Sequence, residues 1–266
     1  MSQEISKAVE RVRAAFDHHD QQMLVRGELW VGKRPFQEFR IDDSLAGHLS
    51  LRNRLGMDLL FLPVSVPDFS FSSMDYQRFS VAEIEEAVKI SDLFVAVIAD
   101  GPFQRLVEKR GLLPLLTELK DDEKAVAGRF EEEAADMAVL LKQCLELNVG
   151  AVVVADDLAF QDSTYISPGD SEKLLGPLYS DAVAGIHAGG AYALFHSCGN
   201  ITAPCLPEKS IRLPAYLPFR YGCRYSGSRI TYCFPERGVC QQSHITCSGR
   251  RIYPQFFLWP VLPEFS

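Results

Sequence analysis

Along the first 200 residues, short apolar runs that are typical of buried strands alternate with amphipathic segments that are typical of helices. Short apolar runs predict five strands, at 27–32, 57–66, 92–100, 151–157 and 191–196. The run at 57–66 is continuously apolar, as expected for a strand that is covered on both faces. The run at 27–32 has the weakest pattern of the five.

Amphipathic segments between these runs predict the helices. Helical patterns occupy 81–90, 102–110 and 112–119. The clearest helix extends from 121 to 147, where apolar residues recur at steps of three and four: Val126, Phe130, Ala134, Met137, Leu141 and Cys144. A last helix begins at the cap Ser167–Pro168 and ends at Gly189–Gly190. Strands that alternate with helices predict an α/β fold with a parallel sheet, either a barrel or an open doubly wound sheet.

The overall composition narrows the class of protein. The 266 residues carry a formal net charge of −8, which argues against nucleic-acid binding because that function needs a basic face. No apolar run approaches the roughly 20 residues of a membrane helix. The N-terminus is charged and amphipathic and lacks the apolar segment of a signal peptide. We therefore expect a cytoplasmic protein whose seven cysteines are mostly reduced.

A histidine and a cysteine follow the last predicted strand in the stretch FHSCGN. His196 and Cys198 stand at positions i and i+2, which share one face of an extended chain. Imidazole nitrogen and thiolate sulfur are ligands that suit Zn²⁺, and ligands of parallel sheets bind at the carboxyl ends of strands. Two side chains do not complete a zinc site, so a buried cysteine beside a hydrogen-bonded core histidine is the alternative interpretation.

Acidic side chains end two of the other predicted strands. Asp156 and Asp157 are the last residues of 151–157, and because neighbours in a strand face opposite ways, at most one points into a site while the other could cap a loop or helix. The inward carboxylate could accept a proton, bind a cationic group or orient a metal-ligating histidine. Asp100 and Glu28 are further candidates for substrate binding, with a turn residue and an ion-paired acid as the respective alternatives.

Three stretches together resemble one known superfamily. VVVADDLAFQDSTYISP, LYSDAVAGIHAGGAYALFHSCGNI and DGPFQRLVEKRGL are similar to the uroporphyrinogen decarboxylase superfamily, over about residues 20–203. FHSCGN resembles its zinc-dependent branch, the corrinoid-linked methyltransferases such as methylcobalamin:coenzyme M methyltransferase. The resemblance implies a (β/α)₈ TIM barrel in which His196 and Cys198 bind zinc.

The same resemblance implies a reaction and its partners. In that branch zinc holds a small thiol acceptor as a thiolate, which attacks a methyl group carried by a corrinoid protein or by free methylcobalamin. Asp156 or Asp157 would then orient the substrate or a ligand. Tetrapyrrole decarboxylation, the activity of the superfamily's metal-free members, is an alternative. It is less favoured because the arginine-rich N-terminal signature of those members does not match VRGELWVGKRPF.

The segment 204–266 departs from this pattern. It contains five of the seven cysteines, no aspartate, and eight basic against three acidic residues, so it carries +5 while the rest carries −13. No helical periodicity is visible, and the branch's third zinc ligand, a late cysteine, has no counterpart. We expect a domain at 1–203 that is incomplete at its C-terminus, followed by a tail read in a shifted frame or unrelated to the barrel. An inactive, truncated barrel is therefore a third hypothesis.

Two minor alternatives involve the cysteines of this tail. A small zinc knuckle could form from Cys233, Cys240, His244 and Cys247, although their spacing matches no common zinc finger. Cys223, Cys240 or Cys247 could instead supply the missing third ligand of the barrel.

Overall fold

The structure is a computed structural model that describes residues 6–17, 25–66, 76–159 and 163–197, together with the backbone of 245–247 and 250–252. Its helices, in chain order, are α1 (Lys7–Phe16), α2 (Lys33–Phe39), α3 (Leu45–Arg54), α4 (Val81–Ile90), α5 (Pro102–Arg110), α6 (Leu112–Asp121), α7 (Glu123–Glu146), α8 (Pro168–Leu174) and α9 (Gly176–Ala188). Its strands are β1 (Leu59–Pro63), β2 (Phe94–Asp100), β3 (Ala151–Ala155), β4 (Tyr192–His196), β5 (Ile245–Cys247) and β6 (Arg250–Ile252).

A parallel sheet forms the centre of the fold. Strands β1 to β4 pair in chain order, and all pairings are parallel. Their residues are almost entirely buried, as continuous apolar runs require. Helices α5, α6 and α7 connect β2 to β3, and α8 and α9 connect β3 to β4. This mixed α/β arrangement is consistent with a TIM-barrel-like fold, whereas a closed barrel, and its incompleteness after residue 203, stay predictions.

Helix α1 packs against the N-terminal ends of these strands. Arg11 forms an ion pair with Asp58, which directly precedes β1, and its Nε lies 2.9 Å from Oδ1. The Tyr192 hydroxyl at the start of β4 donates to Asp17 at 2.8 Å. The Phe16 ring packs edge-to-face on Tyr192, with centroids 4.9 Å apart. Candidate ligand-binding residues therefore belong to the opposite, C-terminal edge of the sheet.

The predicted strand at 27–32 is wrong, because this segment lies beside β1 without forming a ladder. The fully buried guanidinium of Arg52 stands between the two segments, and its Nη2 donates to the carbonyls of Glu28 (3.4 Å) and Phe61 (3.1 Å). The two segments can approach this closely because residue 27 is a glycine. A Cβ at this position would lie only 3.0 Å from the Cβ of Leu59. The segment's described β contact is one isolated bridge from Gly32 to Tyr76.

The outward edge of β1 is occupied by groups from the same part of the chain. The Leu59 amide donates to the Arg26 carbonyl at 3.1 Å, and the Phe79 amide donates to the Pro63 carbonyl at 2.8 Å. Pro63 has no amide hydrogen of its own, so it needs no acceptor on that side. With Arg52 on the Phe61 carbonyl, this edge is bound at both ends and in the middle of β1.

The four remaining predicted strands are confirmed, and so are the helices at 81–90, 102–110, 112–119 and 121–147, within two residues at each end. The single helix predicted from Ser167 to Gly189 is wrong in one respect. It is divided into α8 and α9 at Leu175, because Pro177 lacks the amide hydrogen that an uninterrupted helix would use.

Two findings bear on predictions about the rest of the chain. Among the described helices, none is long and apolar enough to cross a membrane. The tail at 204–266 lies outside the described residues, apart from the backbone of the antiparallel pair β5 and β6, so the hypotheses about its cysteines and His244 stay predictions.

Candidate functional site

The register of the sheet brings predicted site residues into one row. Asp100 pairs with Ala155, and Ala155 pairs with His196, so these three residues stand side by side at the C-terminal ends of β2, β3 and β4. Residues in register on parallel strands share a face. Asp100 and His196 therefore lie on the same face of the sheet, at the edge where parallel sheets bind ligands.

His196 is buried against an aromatic side chain. Its residue is 1% exposed, and the imidazole packs edge-to-face on Trp30 with the ring centroids 4.5 Å apart. Burial lowers the pKa of His196 to about 3. The ring is therefore neutral at physiological pH, which is the form that ligates a metal.

Cys198, the second predicted zinc ligand, lies outside the described residues, so its pairing with His196 stays a prediction. Among the residues that the structure describes, no cluster of three or more His, Cys, Asp or Glu side chains could hold a metal ion. Of the two predicted zinc ligands, the described part of the site contains the His196 imidazole.

Asp100 is bound by an arginine that the sequence analysis did not single out. Arg78 Nη1 lies 2.6 Å from Asp100 Oδ2, and its Nη2 lies 2.9 Å from Oδ1, in a bidentate pair that is largely buried. Arg78 also donates to the Val64 carbonyl at 2.9 Å and to the Tyr76 hydroxyl at 3.2 Å. The carboxylate is therefore neutralised and fixed, and its role as a direct substrate ligand stays a prediction.

Tyr76 joins this pair to the rest of the site. Its ring centroid is 6.0 Å from that of Trp30, which contacts His196. Burial, with smaller contributions from the carboxylates of Asp100 and Asp157, raises the pKa of Tyr76 to about 12. These interactions connect Arg78, Tyr76, Trp30 and His196 in one continuous polar and aromatic cluster.

The two adjacent aspartates have different environments. Asp156 is fully buried and caps α5: it accepts from the amides of Phe103 (3.1 Å) and Gln104 (2.6 Å), and from the Tyr179 hydroxyl (2.7 Å). Burial raises the pKa of Asp156 to about 7, although these three donors lower it. Asp157 is partly exposed. The two neighbouring side chains therefore have different surroundings, as expected for adjacent residues of an extended chain, and Asp156 is the one that caps a helix.

Glu28 occupies the segment beside β1 and is half-buried. Burial raises the pKa of Glu28 to about 7, and the positive charge of Arg52 opposes this rise. Arg52 also contacts His48, with Nη1 2.8 Å from Nδ1, and the other ring nitrogen of His48 lies 3.0 Å from an Asp43 oxygen. This network fixes the backbone that carries Glu28 and Trp30.

Some of the residues missed by sequence reasoning carried a detectable signal. His48 and Arg52 are four residues apart on α3, so they share a helix face and pointed to a buried polar pair. Arg78 and Tyr76 lie in an irregular stretch before α4, where no periodicity marks them. Trp30 lies within the segment 27–32, which was predicted to be a strand, and no pattern marked it as a site residue. Its contact with His196 depends on tertiary packing.

Comparisons with known proteins bear on the fold. No protein-family model matches this sequence, and no curated protein matches it. A methyltransferase from Methanosarcina mazei is structurally similar over 74% of this chain and 71% of that chain, with a TM-score of 0.57 and 13% sequence identity. At this identity the similarity concerns the fold alone, and it supports a TIM-barrel-like architecture.

A second solved structure, the IolI protein with a bound zinc atom, is similar over 63% of this chain and 50% of that chain. Its TM-score is 0.35 and its identity 15%, a level from which no conclusion about this chain follows.

Proposed function

We propose that this protein transfers a methyl group from a corrinoid to a zinc-activated thiol. The observation that carries the proposal is the position of His196, a neutral imidazole at the C-terminal end of β4 in the row of Asp100. Similarity in fold to a methyltransferase supports it, as does the resemblance of FHSCGN to the zinc-dependent branch of the uroporphyrinogen decarboxylase superfamily.

His196 and Cys198 would hold the zinc ion. The fit rests on the state of His196, because burial keeps the imidazole unprotonated and ready to donate its lone pair. When bound, zinc lowers the pKa of a thiol substrate and holds it as a thiolate nucleophile at neutral pH. Trp30 packs on the imidazole and restricts its orientation.

The residues around His196 would shape the substrate site. The bidentate Arg78–Asp100 pair is internally neutral, so it forms a rigid polar surface without a net charge. Asp157 is the partly exposed carboxylate at this edge of the sheet, and we assign it the role of orienting the substrate or a ligand. Asp156 acts indirectly, because its hydrogen bonds to α5 and α9 fix the end of β3.

The proposal includes its partners and location. The methyl donor is a corrinoid protein or free methylcobalamin, the acceptor is a small thiol, and the reaction takes place in the cytoplasm. Tetrapyrrole decarboxylation and an inactive, truncated barrel are the competing outcomes of the test below.

Zinc content separates these outcomes. The purified full chain is compared with His196→Ala and with a matched control, His187→Ala, which removes an exposed histidine of α9. We expect stoichiometric zinc in the wild type and in His187→Ala, and its loss in His196→Ala. With Co²⁺ in place of zinc, a sulfur-to-cobalt charge-transfer band that disappears in Cys198→Ser would identify the cysteine ligand.

Methyl transfer is then measured from methylcobalamin to a series of small thiols. Folded wild-type protein without zinc, or His196→Ala with undiminished zinc, would overturn the proposed function. Zinc binding without methyl transfer to any thiol would favour the inactive barrel.

A further inference from the structure

A solvent-accessible groove of about 690 Å³ lies between α7 and α9, away from the site at the strand ends. Met137, Leu141 and Ile186 are among its lining residues, and all three are buried. Gly185 borders the groove, and a Cβ added there would meet no atom within 4 Å. The groove is therefore open, apolar and unfilled by the described side chains around Gly185.

The groove-facing side of α7 has the spacing of a helix that packs against another helix. Glu131, Ala135, Ala138, Lys142 and Leu145 follow one another at alternating steps of four and three residues, and all line the groove. This is the average period of 3.5 residues with which two helices pack side by side over several turns. This face of α7 can therefore accommodate a second helix along several turns.

Charges along the same side of α7 indicate which helix. Lys124, Glu131, Lys142 and Glu146 are all exposed, and they alternate in sign along the helix. Glu131 and Lys142 are separated by eleven residues, which is about 16 Å along the axis and about 20° around it. They therefore lie on one side of the helix, and the midpoint between them falls between Asp136 and Met137.

The charge pattern along α7 is complementary to that of a second α7 in antiparallel orientation. If α7 of a second copy lies antiparallel, with the midpoint between Asp136 and Met137 aligned in the two copies, Glu131 faces Lys142 of the second copy. Lys124 then lies within one helical turn of Glu146 of the second copy. By symmetry every contact occurs twice. A parallel, in-register arrangement would place like charges together, which is unfavourable.

We propose that the α7–α9 groove is the dimer interface of this protein, and that its occupant is α7 of a second copy in antiparallel orientation. Each chain carries a net charge of −8, so two copies repel one another at long range. Association therefore depends on apolar burial in the groove together with this local charge pairing. The inference is independent of the proposed methyl transfer.

Sedimentation equilibrium of the full chain at several salt concentrations tests the proposal. We expect a wild-type dimer, with dimerisation weakened about tenfold or more by Glu131→Lys or by Lys142→Glu, since each reversal replaces two attractive contacts with two repulsive ones. The double variant Glu131→Lys/Lys142→Glu restores the pairing with opposite polarity, so its dissociation constant should return to near the wild-type value. Added salt should narrow the differences among these variants, because it screens the local charge pairs and the long-range repulsion alike.

Glu172→Lys and Lys120→Glu are the matched controls, because they make the same charge changes at exposed positions of α8 and α6. They should leave the dissociation constant unchanged. Ala138→Trp provides a steric test, since an indole within the groove should prevent association while circular dichroism reports an unchanged fold.

A wild-type chain that stays monomeric at about 100 μM overturns the proposal. A dimer that is indifferent to both single reversals and to Ala138→Trp also overturns it. Failure of the double variant to recover would contradict the antiparallel pairing.

Discussion

The carboxyl group of Asp156 should make the stability of this protein depend on pH in an unusual direction. Its pKa is about 7 in the folded protein, against an ordinary value of 3.8. Between these two values the folded chain retains a proton that the unfolded chain has lost. The stabilisation is therefore complete below pH about 4 and is lost as the pH rises through 7.

The magnitude follows from the size of the shift. Each pH unit in this interval lowers the free energy of unfolding by about 1.4 kcal/mol, and the whole interval by about 4 kcal/mol. The group is fully buried, so solvent screening does not reduce this value substantially. Most acidic groups in proteins act in the opposite direction, because favourable partners lower their pKa.

Asp156→Asn isolates this contribution, since it retains the shape of the side chain but cannot ionise. At pH 5 the variant should be about 1–3 kcal/mol less stable than the wild type, because its amide group faces backbone donors and one acceptor is lost. At pH 8 that deficit should have shrunk by about 2.5 kcal/mol, or reversed, because the wild type alone now carries the buried charge.

Urea unfolding followed by circular dichroism at pH 5, 6, 7 and 8 measures both proteins. Asp121→Asn, at an exposed position, is the control and should parallel the wild type. A difference between wild type and Asp156→Asn that stays constant from pH 5 to 8 would refute the reasoning, since it would mean that Asp156 is ionised throughout.

Three further predictions concern packing and charge. Arg78→Ala should cost about 3–5 kcal/mol, because it leaves the Asp100 carboxylate buried without its partner. Arg78→Met/Asp100→Leu should cost less than the sum of Arg78→Met and Asp100→Leu; a urea double-mutant cycle over these three variants that shows simple additivity would contradict this. Gly101→Ala should lower the melting temperature, because a Cβ there would lie 2.2 Å from an Asp156 oxygen, and the same measurement on Asp156→Ala/Gly101→Ala should show a smaller additional loss. Gly128→Ala, where a Cβ meets nothing within 4 Å, should instead raise stability by about 0.5–1 kcal/mol; an unchanged or lower melting temperature would mean that another group occupies this space.

Much of the architecture could be predicted from the sequence because the strands are buried on both faces. The predicted strands at 57–66, 92–100, 151–157 and 191–196 each contain an uninterrupted apolar stretch, with polar residues only near their ends, and these stretches mark β1 to β4. The stripe of α7 was equally clear, since its buried residues recur at the helical period.

The errors come from interactions that a linear pattern does not record. The segment 27–32 has a strand-like pattern, but the Arg52 side chain, far along the chain, takes the carbonyl that a ladder would use. Parallel strands end at the same edge of a sheet. The placement of Asp100 and His196 in one row could therefore be predicted, since each is the last residue of its strand. The pairing of Asp100 with Arg78 was not, because it depends on where the chain returns after β1.

The bound outer edge of β1 has a consequence for how the chain folds during synthesis. All the groups that occupy this edge, from Arg26, Arg52 and Phe79, precede β2 in the sequence. The first strand can therefore complete one side before the second strand has been made, and each later strand then adds to the single side still open, in the order of translation. In such a sheet each newly synthesised strand pairs with the strand made before it. Each pairing joins strands that are consecutive in the sequence, so no strand has to wait for a segment made after its partner.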